Sequence, residues 1–489
     1  MAKEDEKVQP QNEIDIQARI KLIAGFDIVN QEIALQNLKQ RTGVGLTALR
    51  TLLKKFGTNF SAYETAMKII ANKKIITSKE SDKIYLYEDG IYVSAEKILL
   101  MDLQKMLKEE CSEQRVKEIF GHIRRETYKS NENIAEENGN YICLKNGIYD
   151  VEKNTLEDFT SQRVFFNKIP VDFIEGVECP KFKEFLERAC TFKDEFNEEN
   201  YNTIQEYMGY CFERGYPFHK ILVIYGDTDS SKTQQMIIMQ SMLGEENYES
   251  IFPNQFNRDN YTSMLDKKMA NIADEIPKAH IAVEKMKALS GETAQTSREL
   301  YCKPFKFVNE AKLIFAGNYL PKLKEEDFDD DAIYNRCVLI TFKNVIPKET
   351  QIKNYGKIIF EEENSGILNF AIEGLKRLRE QKTFSYSKTI EENKEIWLSE
   401  TEEIYKFFLT CEKIRLKIGG ICAKEDLYEV YCRWCEENNI QWLENNAFGR
   451  KVKNLYKGKI IDFQPKDKEG IKQQVHAWSG VEIVNYVDN

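Results

Sequence analysis

The sequence predicts an α/β fold: an open, mostly parallel sheet carrying a phosphate-binding loop, with a smaller α/β domain before it and small helical domains at the ends. Three observations carry this. The apolar run "KILVIY" leads straight into "GDTDSSKT", a strand followed by a glycine, a tight polar turn, a lysine and a threonine. Beyond it "MANIADE", "KLIFAGN" and "CVLITF" read as short strands separated by helical patterns up to about Pro347, the alternation of an open α/β sheet whose ligands sit at the C-terminal strand ends. From about Glu402, three helical runs precede "KGKIIDFQPK" and "VEIVNYV", and helix-helix-helix-strand-strand is the order of a winged helix.

Taken along the chain, residues 1–75 read as helical, with "IALQNLKQRTGVGLTALRTLLKKF" fitting a helix-turn-helix. Its first helix ends near Gly43 and its second runs from about Thr47 to Phe56. Arg50, Lys54 and Lys55 on that second helix leave two uses open, DNA contact or a packing hairpin. Residues 76–215 form an α/β domain with hairpins around Asp89-Gly90 and Asn146-Gly147, separated by a helical stretch from Ser94 to about Lys129. The sheet domain spans 216–347, a helical lid or linker 348–400, and the winged helix 401–489.

Composition bounds the function. The 489 residues are 42% hydrophobic and 31% charged, enough apolar content to bury several cores. A net charge of -10 gives no global sign of nucleic-acid binding, so any such binding must use local basic patches. The beginning "MAKEDEKVQPQNE" has the features of neither a signal nor a transit peptide, and no apolar run is long enough to span a bilayer. The 11 scattered cysteines fit a reduced, cytoplasmic protein rather than a disulfide framework. Cys432 and Cys435 form a lone C-x-x-C within a helical pattern and read as helix-packing cysteines. With only 4 His, histidine-based metal or hydrolase chemistry is disfavoured.

The chemistry concentrates in the sheet domain. Consecutive backbone N–H groups at a helix N-terminus bind phosphate, a lysine reaches the β/γ-phosphates, and a Ser/Thr hydroxyl ligates Mg²⁺. Gly226, Asp229, Ser230, Ser231, Lys232 and Thr233 are the candidates for this loop. The motif ordinarily has glycine before the lysine, and here Ser231 stands in its place. "MANIADE" ends in Asp274-Glu275, which suits an acid holding Mg²⁺ and an acid polarising water. Asn318 ends "KLIFAGN", where its amide can reach a lytic water between the other two strands. Arg336 immediately precedes "CVLITF", placed to reach a neighbouring subunit's γ-phosphate. Each piece alone is weak, but four in this order are not.

In that combination the run from Ile221 to Phe342 resembles the AAA+ P-loop ATPase core of a superfamily 3 helicase. The segment before it, with "ICLKNGIYD" and "CPKFKEFL", is similar to the domain preceding the helicase in phage, plasmid and poxvirus-type primase–helicases. The resemblance covers about 81–347. It implies an ATP- and Mg²⁺-dependent DNA helicase of a virus or mobile element, a homo-hexameric ring acting on single-stranded and duplex DNA with a primase or other replication proteins as partners, and no membrane. It also implies a channel-facing hairpin between Asp274 and Asn318. Lys287, Glu292 and Arg298 match its approach, and Tyr301 and Lys303 fall near its tip, where a cation meets phosphate and an aromatic stacks on a base or sugar. The sequence departs from the family at Ser231 and at Asn335, where many members carry a second arginine beside the finger.

At the C-terminus "NNAFGRKVKNLYKGKI" strings Arg450, Lys451, Lys453, Lys457 and Lys459 together without an acid, a footprint for duplex DNA on a recognition helix and wing root. A solvated lysine-rich face is the plain alternative. Trp434 and Trp442 are expected in that domain's core. About 80 residues precede the resemblance, too few for a polymerising domain with paired aspartates, so primase activity is not expected. Two other functions stay open: an origin-binding initiator using ATP only as an assembly switch, and a nucleotide-dependent transcription regulator resting on the two terminal helix-turn-helix candidates.

Overall fold

The computed structural model describes residues 11–24, 26, 28–56, 60–130, 139–298, 304–464 and 476–484. The chain divides into two units, one made of the residues up to 77 with 84–86 and 94–128, the other of 78–83, 87–93 and the remainder.

The first unit is mainly helical. Helices Gln11–Ile23, Ile28–Thr42 and Leu46–Phe56 enclose Ile20, Ile23, Leu35, Leu38 and Leu49. Gly43, at φ 71°, ends the second helix and donates its N–H to the Lys39 carbonyl at 2.9 Å, a left-handed C-terminal stop. The two helices expected on either side of Gly43 are present, and Arg50 on the second is ion-paired with Glu32. Ala62–Asn72, capped by Ser61, packs with Glu96–Leu107 and Glu113–Thr127 around Ile69, Leu99, Leu103, Ile119 and Ile123. The stretch expected to be helical from Ser94 to Lys129 is therefore broken. Lys108 takes φ 49°, and Ser112 starts a new helix by accepting from the Arg115 N–H.

In the second unit, Tyr141–Leu144 and Gly147–Asp150 form the hairpin expected around Asn146-Gly147, and Thr155–Glu157 adds a third strand. The larger sheet is wholly parallel and has five strands: β1 (Ile221–Gly226), β2 (Tyr248–Glu249), β3 (Ala270–Ala273), β4 (Lys312–Gly317) and β5 (Cys337–Phe342). Their spatial order is β2-β3-β4-β1-β5, so β4 lies between the strand leading into the loop and the strand ending in the acids. β3 and β4 are buried at every position, which explains why they read as continuous apolar runs rather than alternating ones.

Helices Glu198–Tyr210 and Tyr355–Gln381 pack backbone to backbone beside this sheet. A Cβ on Gly209 would lie 2.3 Å from the Ala371 carbonyl, and one on Gly374 would lie 2.2 Å from the Gln205 carbonyl. Glu206, fully buried between them, is held by Arg377 at 2.7 Å and by the Ser385 N–H at 2.7 Å. A charge so buried persists only with such partners. The Tyr355–Gln381 helix also touches the helix that follows the loop, where Gln234 Oε1 accepts from the Gly356 N–H at 2.8 Å.

The C-terminal segment runs helix Glu403–Thr410, strand Ile414–Ala423, helices Lys424–Glu437 and Asn445–Leu455, then strands Ile461–Phe463 and Ala477–Ile483. The first strand, in a stretch expected to be helical, pairs antiparallel with the last across an irregularity between Leu416 and Ile421. Trp434 is buried beside Phe407, whereas Trp442, expected in the core, is 48% exposed. Cys435 is buried and Cys432 half-buried on the same helix, and among the described residues no three potential ligands form a metal cluster. Nor is any described helix long and apolar enough to cross a membrane.

Candidate active site

β1 ends at Gly226, whose φ of 148° and tight fit both exclude a side chain: a Cβ would lie 2.0 Å from the Phe342 carbonyl on β5. The chain then turns through Asp229, at φ 63°, and Ser231, at φ 71° and ψ 4°, before helix Lys232–Leu243 begins. Ser231 thus occupies the left-handed backbone for which the motif ordinarily uses glycine. A serine can adopt it at a cost of about 1–2 kcal/mol. The loop is braced from outside by the Ile346 N–H, which donates to the Asp229 carbonyl at 2.9 Å, and from inside by Ser230 Oγ, which donates to the Asp227 carbonyl at 2.7 Å.

Lys232 is buried, its ammonium donating to the carbonyls of Gly226 (2.9 Å) and Asp227 (2.5 Å) and to Ser230 Oγ (3.2 Å). Burial lowers its pKa from the usual lysine range, while Asp274, Asp227 and Asp229 pull it back up. It stands as a desolvated cation curled under its own loop, the arrangement that gains most from an incoming polyanion.

The loop forms one wall of a cleft of about 570 Å³. Thr228 to Thr233 line the cleft, together with Asp274, Glu275, Gly317 and Asn318. Because β1, β3 and β4 are parallel and adjacent, their C-terminal ends deliver lysine, acids and amide to one place. Asp274 Oδ1 accepts from the Glu275 N–H at 2.8 Å, and Glu275, at φ 57°, is exposed where it lines the cleft. Thr233 and Asn318 are exposed within the cleft. A hard divalent cation takes hydroxyl, carboxylate and phosphate oxygens, and Thr233 and Asp274 supply the first two, so the donor set fits Mg²⁺.

The cleft also has residues the sequence did not single out. Phe185, Arg188, Ile346, Gln351, Ile352 and Tyr355 close one end, with the Phe185 and Tyr355 rings edge to face at 6.1 Å. They come from a helix before the sheet and from segments after it, so no local motif could have marked them. Lys278 and Tyr319 line the rim, the ammonium 3.6 Å from the ring centroid. Their positions beside the Asp274-Glu275 pair and Asn318 were a usable signal.

Arg336 lies elsewhere. It ends helix Asp331–Arg336 and immediately precedes β5, and Cys337 pairs with Ile221 at the start of β1, whereas Phe342 pairs with Gly226. At ~3.3 Å per residue this is ~20 Å from the loop. The guanidinium donates through Nη1 to the Ala332 carbonyl at 3.0 Å, and its buried Nε has no partner among the described residues.

The expected hairpin is present as Gln295–Ser297 paired with Phe305–Phe307. Arg298 and Lys306 are exposed beside it, and Tyr301 and Lys303 lie outside the described residues. Lys287 departs from the expectation of a cation offered to DNA. Only 19% of its side chain is exposed, and it is paired with Asp330 at 2.5 Å and Glu284 at 2.7 Å.

Near the C-terminus the basic string is divided. Lys451 pairs with the largely buried Glu402 at 2.9 Å and Lys453 with Asp462, while Arg450, Lys457 and Lys459 are exposed with no acidic partner among the described residues. The run lacks acids in sequence, but neighbouring elements bring them to it.

Residues 52–191 match a family described as D5 N terminal like, and 224–337 match a family of unknown function. No curated protein matches. Among solved structures the chain is similar to the apo C-terminal region of NrS-1 (305–718) at 11% identity, with 86% of this chain and 98% of that one covered and a TM-score of 0.44. It is also similar to JCV helicase bound to a thiazolopyridine-containing acetamide at 11% identity, covering 46% and 64%, with a TM-score of 0.25.

Proposed function

We propose that this chain is a phage- or virus-type superfamily 3 primase–helicase-like protein, a reading its match to the D5 N terminal like family supports, and that it is an ATP-dependent DNA helicase whose parallel sheet is an AAA+ core. The observation that carries the reading is the single cleft gathering Lys232, Thr233, Asp274, Glu275 and Asn318 from the ends of three adjacent parallel strands. The loop N–H groups and Lys232 bind the triphosphate, and the buried ammonium leaves its own carbonyls for the β/γ oxygens. Thr233 and Asp274 hold Mg²⁺, which when bound neutralises charge on those oxygens. Glu275 orients and polarises the attacking water, and Asn318, on the strand between the others, fixes that water by hydrogen bonding.

Arg336, too far from its own loop, serves the loop of the next subunit, which makes a closed ring the active form. The Gln295–Phe307 hairpin contacts single-stranded DNA through Arg298, Tyr301 and Lys303. The C-terminal segment is a winged helix holding duplex DNA through Arg450, Lys457 and Lys459. Ser231 supports a working site, because it holds the backbone that glycine would hold.

Strand separation tests this. Wild-type protein with ATP and Mg²⁺ opens a forked duplex, and Glu275→Gln binds ATP with similar affinity but loses unwinding by about 10²-fold or more. A wild-type protein that hydrolyses ATP on DNA without opening forks contradicts the helicase assignment.

A further inference from the structure

A continuous set of contacts joins the hairpin to the arginine at the far edge of the sheet. The hairpin's exit leads to Asn309, which is fully buried and donates through Nδ2 to the Leu289 carbonyl at 2.8 Å and to the Ala311 carbonyl at 2.9 Å. Leu289 is the last residue of helix Val283–Leu289, so hairpin and helix end are locked together. Lys287, on the same turn, donates to Asp330 Oδ2 at 2.5 Å. Asp330 uses its other oxygen to accept from the Ala332 N–H at 3.0 Å and so caps helix Asp331–Arg336. Ala332 in turn supplies the carbonyl that holds Arg336 Nη1 at 3.0 Å.

We infer that Lys287 is a positioning residue. Its ion pair with Asp330 transmits displacement of the hairpin to the Arg336 helix, so DNA engagement sets where the arginine is presented. The inference rests on the helicase reading above. The geometry favours it over a phosphate contact by Lys287 itself. Each Asp330 oxygen serves a different element, one the lysine and one the helix cap, and both side chains are about four-fifths buried. A pair so shielded is screened little by salt and holds its geometry. Glu284 pairs with Lys287 on the lysine's own helix and so adds charge without bridging elements.

The test compares Lys287→Met, Asp330→Asn and the double variant in the full chain. The readouts are ATP hydrolysis with and without an oligothymidylate, affinity for that oligonucleotide over a salt series, and thermal midpoints. Asparagine caps helices as well as aspartate does, so Asp330→Asn removes the ion pair and keeps the helix start. Each single variant is expected to lose DNA stimulation by about tenfold. The double is expected to lose no more than either, and DNA affinity and its salt slope to match wild type. Weakened binding with a salt slope lower by about 1 in Lys287→Met alone identifies a phosphate contact and overturns the inference. Stimulation retained in either variant, or losses that multiply in the double, also overturns it. A wild-type protein that hydrolyses no ATP defeats the helicase reading, and the coupling falls with it.

Discussion

Ser231 shows how a single side chain is tolerated where a motif ordinarily has none. Its φ of 71° costs a serine about 1–2 kcal/mol, but glycine would lose more backbone freedom on folding, about 0.5–1 kcal/mol. The second term offsets about half of the first. Ser231→Gly is therefore expected to leave stability within about 1 kcal/mol and the KM for ATP little changed. Ser231→Val, whose branched Cβ is a true outlier at positive φ, should raise that KM by about tenfold or destabilise the protein measurably. A neutral valine in thermal melts and steady-state kinetics would mean that the loop does not need this backbone. The strain was legible in the sequence as a position where glycine is ordinarily required. The pairing of Lys287 was not, because Asp330 lies 43 residues away and only the fold brings it to hydrogen-bonding distance. The acids facing Lys451 and Lys453 were hidden for the same reason: a run without acids in sequence can still face acids in space.

Elements were legible where burial leaves a simple pattern. β3 and β4 are buried on both faces, and β1 and β5 nearly so, hence their uninterrupted apolar runs. Strand Ile414–Ala423 was missed although Ile414, Leu416 and Ile418 alternate with Arg415 and Lys417 in the period of a strand, because the run is short and mostly exposed and Gly419-Gly420 break it at the irregularity. The order of strands was beyond periodicity altogether: the sequence suggested that Asn318 reaches between the other two strands, but not that its own strand lies between them. At this scale a tight constraint between two helices is the crossing of Glu198–Tyr210 with Tyr355–Gln381. Gly374→Ala places a methyl carbon against the Gln205 backbone, and backbone cannot rotate aside as a side chain can. The expected loss is about 1–3 kcal/mol in denaturant unfolding. Gly176→Ala gives the reference for an open position, since nothing lies within 4 Å of its Cβ, although its own φ of 74° adds local strain. Equal effects of the two changes would show that the close crossing is not stabilising.

For the whole molecule the decisive fact is that Arg336 and Lys232 lie at opposite ends of the same sheet. In a ring each active interface would then take its loop from one subunit and its arginine from the next. Lys232→Ala and Arg336→Ala proteins should each be inactive, with the arginine variant losing about 10³-fold or more in turnover. Mixed in equal amounts they should regain activity, because a loop from the arginine variant can meet an arginine from the lysine variant. Random assembly makes about a quarter of interfaces complete. A mixture as inactive as its parts would place both residues in one subunit's site, or Arg336 in none.

The most direct test of a working ATP-driven site is hydrolysis of ATP by wild type and Lys232→Ala, each with and without single-stranded DNA. Wild type is expected to hydrolyse ATP and to do so several-fold faster on DNA, and the variant to lose both rates by about 10²-fold or more. Background turnover in both proteins, with or without DNA, would contradict the motor and leave the cleft at most a nucleotide-binding switch.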